Sequence, residues 1–197
     1  PTHEQFAPMM PFVNVWCCQP FGPDRDTVMA DMAARDVEYW CYPNHIAGEN
    51  DHTPVAGARM TYGFGFWRSG FLTLIPWIYS STAGDQHNYL TSSAMDFMNR
   101  HEPDGAPMPV ALWEAYREGY DDYRYVYTLA TLIEQANAGG GPAKRAAADA
   151  QQTLDFVWES IDVQEKYKYD GLWPNADFDV YRWIIAEQIL KLQEVLK

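Results

Sequence analysis

Six residues have side chains suited to gripping a sugar: Trp16, Trp40, Tyr42, Trp77, Tyr79 and Asp85. A flat aromatic ring offers an apolar face on which the C–H bonds of a pyranose stack, and a nearby carboxylate takes hydroxyls. Three of the six belong to one stretch. After Gly70, residues 71–75 are an apolar run with a single Thr, too short for a membrane span, and they read as a strand buried on both faces. Pro76 cannot donate to a sheet ladder, so regular pairing weakens there. Trp77 and Tyr79 then stand where a strand gives way to its loop, with Asp85 and Asn88 close behind. In α/β folds the carboxyl ends of parallel strands are where ligands bind. Trp16, Trp40 and Tyr42 hold equivalent positions on two earlier segments, and neighbouring strands would bring these rings to one face. Strand aromatics also serve as core, so packing is the competing reading for them.

Other reactive groups are better explained without chemistry. Glu114, Arg117 and Asp121 share one side of a helix, with Asp122 beside them, and read as an ion-pair network. Retaining glycoside hydrolysis needs two carboxylates about 5–5.5 Å apart across a sugar, an arrangement of strand ends rather than of one helix face. His45, Glu49, Asp51 and His52 lie in a polar stretch without His-x-x-x-His spacing, so neither a metal nor another cofactor is expected. Cys17 and Cys41 end adjacent predicted strands. A catalytic thiol needs a His partner and a lowered pKa. His45 follows Cys41 closely enough to make a small thiol or metal hydrolase the alternative from another class, against the plain reading of buried free thiols.

The elements that would position these groups alternate. Residues 12–17 and 37–42 read as strands, rich in β-branched and aromatic residues. Between them a helix capped by Asp24 or Asp26 runs to about Arg35, with Val28, Met29 and Met32 inward. Thr53 caps the next helix, Pro54 occupies its first position, and it continues to Trp67 through Gly57, Gly63 and Gly65. Strand–helix–strand–helix–strand order implies a parallel α/β sheet. Residues 80–108 read as one long loop, of a length that is usually functional. Residues 110–135 form the strongest helix, and its aromatic stripe (Trp113, Tyr116, Tyr120, Tyr123, Tyr127) is expected to pack on the sheet. The run Asn137-Ala138-Gly139-Gly140-Gly141-Pro142 ends it. Two further helices follow, at 143–161 and from a cap at Asp177 or Asp179. The chain therefore divides into 1–138, a sheet-bearing segment, and 139–197, a helical tail packed on it.

Two blocks resemble a known family. Residues 70–77 with Gly84-Asp85, and the helix Trp113-Glu114-Ala115-Tyr116-Arg117-Glu118-Gly119-Tyr120-Asp121-Asp122-Tyr123-Arg124-Tyr125, resemble the carboxyl-terminal part of the family 123 glycoside hydrolases and their uncharacterised relatives. There a "G-x-L-x-W" strand leads to a helix reading roughly "E-x-x-R-E/D-G-x-x-D-Y-x-Y". Val13 to Trp16 and Trp40 to Tyr42 resemble the two preceding strands, so the likeness covers about residues 12–135. It implies the last strand–helix units of a (β/α)8 TIM-type barrel, from enzymes that hydrolyse N-acetylhexosaminides with an adjacent Asp-Glu pair. This chain contains no Asp-Glu dipeptide, supplies three strand–helix units where a barrel needs eight, and carries Leu112 where the family often has Arg. The resemblance therefore implies a partial barrel that supplies one wall of a carbohydrate site and is inactive alone. A non-catalytic carbohydrate-binding or assembly module is the nearest alternative.

Composition bounds the partners. Hydrophobic residues make up 47% of the 197, enough for a core, and aromatics reach 15%, more than a core alone needs. A formal net charge of −13 argues against nucleic acid and anionic membrane surfaces, which require basic patches. Three cysteines without regular spacing are not a disulfide framework. A three-stranded parallel sheet cannot close on itself, and an open apolar edge invites cover, so a homodimer is expected.

Overall fold

The computed structural model describes residues 3–18, 25–41, 54–70, 73–75, 99–101, 107–109, 111–161 and 175–197. The described chain is mostly helical, with a small parallel sheet. A short helix α1 (His3–Phe6) and a 3-10 turn at Met10–Phe12 lead into β1 (Val15–Cys18), α2 (Arg25–Ala34) and β2 (Glu38–Cys41). Helices α3 (Pro54–Tyr62) and α4 (Phe64–Ser69) precede β3 (Thr73–Leu74). The sheet order is β1-β2-β3, all parallel, with Trp16 beside Tyr39, Cys17 beside Trp40, and Trp40 beside Thr73. The alternation expected from the sequence is present, with β1 starting at Val15. Phe12 belongs to the 3-10 turn, not to β1.

Within residues 80–108, expected to be a single loop, a strand pair appears. Segments β4 (Asn99–His101) and β5 (Pro107–Pro109) pair antiparallel. Each proline in β5 lacks an N–H, which suits a two-stranded ribbon better than a central strand. The expected single helix 53–67 is divided at Gly63. Gly63 sits against α5 (Ala111–Asn137), where an added Cβ would lie 2.8 Å from the Gly119 carbonyl oxygen. The close approach of two backbones requires glycine there. Gly70, at φ 74°, closes α4 and turns the chain toward β3.

Two apolar cores result. The smaller packs Phe6, Met10, Val28, Met32 and Tyr39 with Trp16, Val37, Phe66 and Leu74. It lies on one face of the sheet, the face of Trp16, Tyr39 and Leu74, and all contributing helices (α1, α2 and α4) cover that face. The larger core is helical. It joins α3 and α4 to α5, α6 (Gly141–Ser160) and α7 (Asn175–Val195) through Met60, Phe64, Leu129, Leu154, Phe178 and Leu192, among others. Alanines 143, 147 and 150 on α6 let that helix approach closely. Helix α4 serves both cores, with Phe64 and Trp67 in the larger one and Phe66 in the smaller.

The expected packing phase of α5 is wrong. Its buried stripe is Ala115, Gly119, Asp122, Val126, Leu129, Ile133 and Ala136, facing other helices. Of the aromatic stripe, Tyr116 is buried against Tyr62 and Tyr123 is half-buried against Phe66, while Trp113, Tyr120 and Tyr127 are exposed. Both stripes repeat at three and four, and the run of rings masks the smaller apolar residues that occupy the true interface. Helix α7 starts at Asn175, so Asp177 lies in its first turn rather than before it.

Leu129 is fully buried and Tyr127 is 65% exposed. Leu129→Ala is expected to destabilise by about 2–5 kcal/mol. Tyr127→Ala should stay within about 0.5 kcal/mol of the parent. Urea unfolding followed by far-UV circular dichroism measures both.

Candidate functional site

The carboxyl ends of three parallel strands form the first candidate, and period-two alternation decides which side chains meet there. Trp16 pairs in register with Tyr39, and Cys17 with Trp40. Trp16 and Trp40 therefore occupy opposite faces, which corrects the expectation that their rings converge. Trp16 turns into the smaller core, its ring centroid 4.3 Å from that of Phe6. Trp40 belongs to the other face, with Val15, Cys17, Glu38 and Thr73. Its indole N–H donates to the Glu38 carboxylate at 2.8 Å, which fixes the ring on that face. None of Val15, Cys17, Trp40, Thr73 or Ile75 joins a buried apolar cluster among the described residues. Tyr42, Trp77, Tyr79 and Asp85 lie outside the described residues, as does His45 of the proposed Cys41/His45 pair.

Cys17 is exposed, and partial burial pushes its thiol above the ordinary value. At neutral pH it stays protonated, which is the wrong direction for a nucleophile. The described residues contain no group of three His, Cys, Asp or Glu side chains that could hold a metal ion, and no helix among them is long and apolar enough to cross a membrane.

The second candidate is a charge cluster that the sequence reading only half identified. Asp122 falls on the buried stripe of α5 and is fully enclosed. Arg59 of α3, itself 5% exposed, grips it in two places, Nε to Oδ2 at 2.7 Å and Nη2 to Oδ1 at 3.2 Å. Arg182 of α7 donates through Nε to Oδ1 of the same carboxylate. Arg182 also donates to Glu118, at 2.7 Å to its carboxylate and 2.8 Å to its backbone carbonyl. Asp179, one turn before Arg182, accepts from Arg59 Nη1 at 2.8 Å. The Arg59 guanidinium lies 5.6 Å from the Phe178 ring centroid, the Arg182 guanidinium 5.9 Å from that of Tyr125. Glu114, Arg117 and Asp121 make the expected surface pairs, with Arg117 at 2.8 Å from Glu114 and 3.6 Å from Asp121.

Arg59 and Arg182 were not anticipated, although both leave a trace in the sequence. Arg59 is the sole charge in the apolar, small-residue helix α3, and Asp122 interrupts the apolar stripe of α5. A charge is buried only with a partner. Burial pushes the Asp122 carboxyl up, against the two guanidiniums that hold it down. The Arg182 hydrogen bond holds the Glu118 carboxyl below its ordinary value. With its carboxylate enclosed and bonded by two arginines, Asp122 has no lone pair facing a cleft and is not placed for acid–base work. Beside the cluster a polar cleft of about 430 Å³ is lined by Asp121, Arg124, Tyr125, Thr128, Arg182 and Ile189. The cluster's role is to position helices. Comparison with models of known families, with curated proteins and with solved structures returns no match.

Two outcomes follow from the cluster. Arg59→Met should destabilise by about 3–5 kcal/mol, because it leaves the buried carboxylate with Arg182 as its remaining cation. Gly119→Ala, which would gain about 1 kcal/mol in an exposed helix, should instead destabilise, because the new Cβ would collide with the Arg59 carbonyl oxygen. Denaturant midpoints check both.

The pH dependence follows from Glu118. Its folded-state pKa lies below the ordinary 4.5, so its contribution is complete above that value and is lost as pH falls through the folded pKa. Melting temperature should therefore fall on acidification below about pH 4.5, and Arg182→Met should flatten that acid limb. Thermal scans from pH 7 to pH 3 measure it.

Proposed function

We propose that this chain is the carboxyl-terminal segment of a (β/α)8 glycoside-hydrolase-like barrel, supplying one wall of a carbohydrate site and inactive on its own. Residues 1–138 would be the barrel segment and 139–197 a helical tail upon it. The observation that carries the reading is the winding of the sheet. Among the described residues, three parallel strands run in sequential order, and helices α1, α2 and α4 pack on one face of them. One half of a doubly wound sheet has the same winding, and the likeness of residues 70–77 and 113–125 to the barrel family is what favours the barrel. A barrel keeps all helices outside and leaves the inner face to side chains from the strands. The face of Val15, Cys17, Trp40 and Thr73 would be such an inner face.

Trp40 is the ring on that face, and Trp77, Tyr79 and Asp85 follow β3 in the chain. Together they supply the stacking surface and hydroxyl acceptor that a saccharide requires. Trp16 leaves the proposed site for the core. The chain lacks an Asp-Glu dipeptide, so the acid and the orienting carboxylate of N-acetylhexosaminide hydrolysis would have to come from elsewhere. The position of β1 at the sheet edge among the described strands also favours pairing with a second copy, as an assembly module would.

Tryptophan fluorescence with N-acetylhexosamine oligosaccharides tests the binding role. A saturable change with a Kd of about 1 mM or tighter is expected, weakened about tenfold or more by Trp40→Ala, with no release of aglycone from an aryl N-acetylhexosaminide. No saturable change up to about 10 mM, or a Trp40→Ala protein that binds like the parent, contradicts it.

A further inference from the structure

All three cysteines of the chain fall at the ends of two neighbouring strands. Cys17 and Cys18 are the last two residues of β1, and Cys41 is the last of β2. The register sets Cys18 directly beside Cys41. Adjacent strands lie about 4.8 Å apart, within the roughly 4.4–6.8 Å over which Cα atoms accept a disulfide. Cys17 is one position out of step, beside Trp40, and alternation assigns it to the other face of the sheet.

We propose that Cys18 and Cys41 form a redox-responsive dithiol that closes to a cross-strand disulfide, with Cys17 remaining a free thiol. The oxidant is a low-molecular-weight disulfide. One thiolate attacks it, forming a mixed disulfide and releasing one small thiol. The second thiolate then displaces the other small thiol as the protein S–S bond forms. The two cysteines lose two protons and two electrons, and the oxidant's S–S bond is reduced to two thiols. Parallel register neighbours hold their Cβ atoms about 1 Å farther apart than the disulfide mean of about 3.8 Å, so closure requires the strand ends to draw together. Both residues are the last of their strands as described. Whether the pair is open or closed is then set by the ambient thiol–disulfide ratio, so it acts as a switch. Closure ties the β1–α2–β2 crossover into a loop at the carboxyl edge of the sheet. The inference stands on register alone and is independent of the carbohydrate reading.

The test equilibrates the full native chain in glutathione buffers of graded ratio, then alkylates and maps the peptides without reduction. Two of three thiols should disappear together, in a linked peptide joining Cys18 to Cys41. The C17S protein should lose both remaining thiols, and C41S should keep both of its own. Closure should raise the melting temperature by roughly 5 °C. The equilibrium constant against glutathione should fall about tenfold or more in urea, because the fold supplies the proximity. Three persisting thiols in the most oxidising buffer, a linked peptide containing Cys17, or equal constants for folded and unfolded chain would each overturn the proposal. The wild-type peptide map decides between these outcomes even where a variant fails to fold.

Discussion

A single enclosed carboxylate, Asp122, shared by Arg59 and Arg182, is the constraint on which the helical part of this fold depends. Taking one carboxylate and two guanidiniums out of water costs several kcal/mol per ion before their mutual attraction repays it. An apolar triad of equal volume would serve stability as well. What the charges add is direction. Arg59 on α3 must meet Asp122 on α5 and Asp179 on α7, and Arg182 must meet Asp122 and Glu118. Sliding any of the three helices by one turn separates several partners at once and leaves a buried charge. The Gly63–Gly119 contact tightens the same constraint, since the backbones of α3 and α5 touch beside the cluster. Around it, Phe64, Val126, Leu129, Phe178, Ile185 and Leu192 provide the non-directional part of the cohesion.

The sheet depends on that assembly through α4. Phe64 and Trp67 root this short helix among α5, α6 and α7, and Arg68 stacks over Trp158 at 4.2 Å. From its other side Phe66 reaches into the core beneath β3 and meets Tyr123 of α5. The helical part thus fixes where the last strand lies, and β2 and β1 follow by pairing. Among the described residues, no buried apolar cluster forms on the second face of the sheet. Trp40, tethered to Glu38, lies on that face.

Much of the architecture was legible because it rests on local rules. Pro54 after Thr53 marks the start of α3, the apolar spacing of Val28 and Met32 marks the inner face of α2, and strand–helix alternation gives a parallel sheet. The phase of α5 was not, because two stripes at helical spacing compete on one surface and the bulkier, aromatic one is the more conspicuous. Alanine, glycine, a lone aspartate and three aliphatic side chains hold the true interface. Its correct reading requires the partner arginines, which stand 63 and 60 residues from Asp122. The candidate sugar residues divide similarly. Strand alternation alone separates Trp16 from Trp40, but only once the register between β1 and β2 is known, and a one-residue change of register would exchange their faces.

The most direct test of the central claim is hydrogen exchange on Asp122→Asn. The substitution keeps the shape of the side chain and removes the charge that both arginines share. If Asp122 sets the mutual register of three helices, amide protection should fall together in α3, in the middle of α5 and in the first half of α7, while α6 keeps more of its own. Protection unchanged in α3 and α7, with any loss confined to the turn around residue 122, would contradict the account.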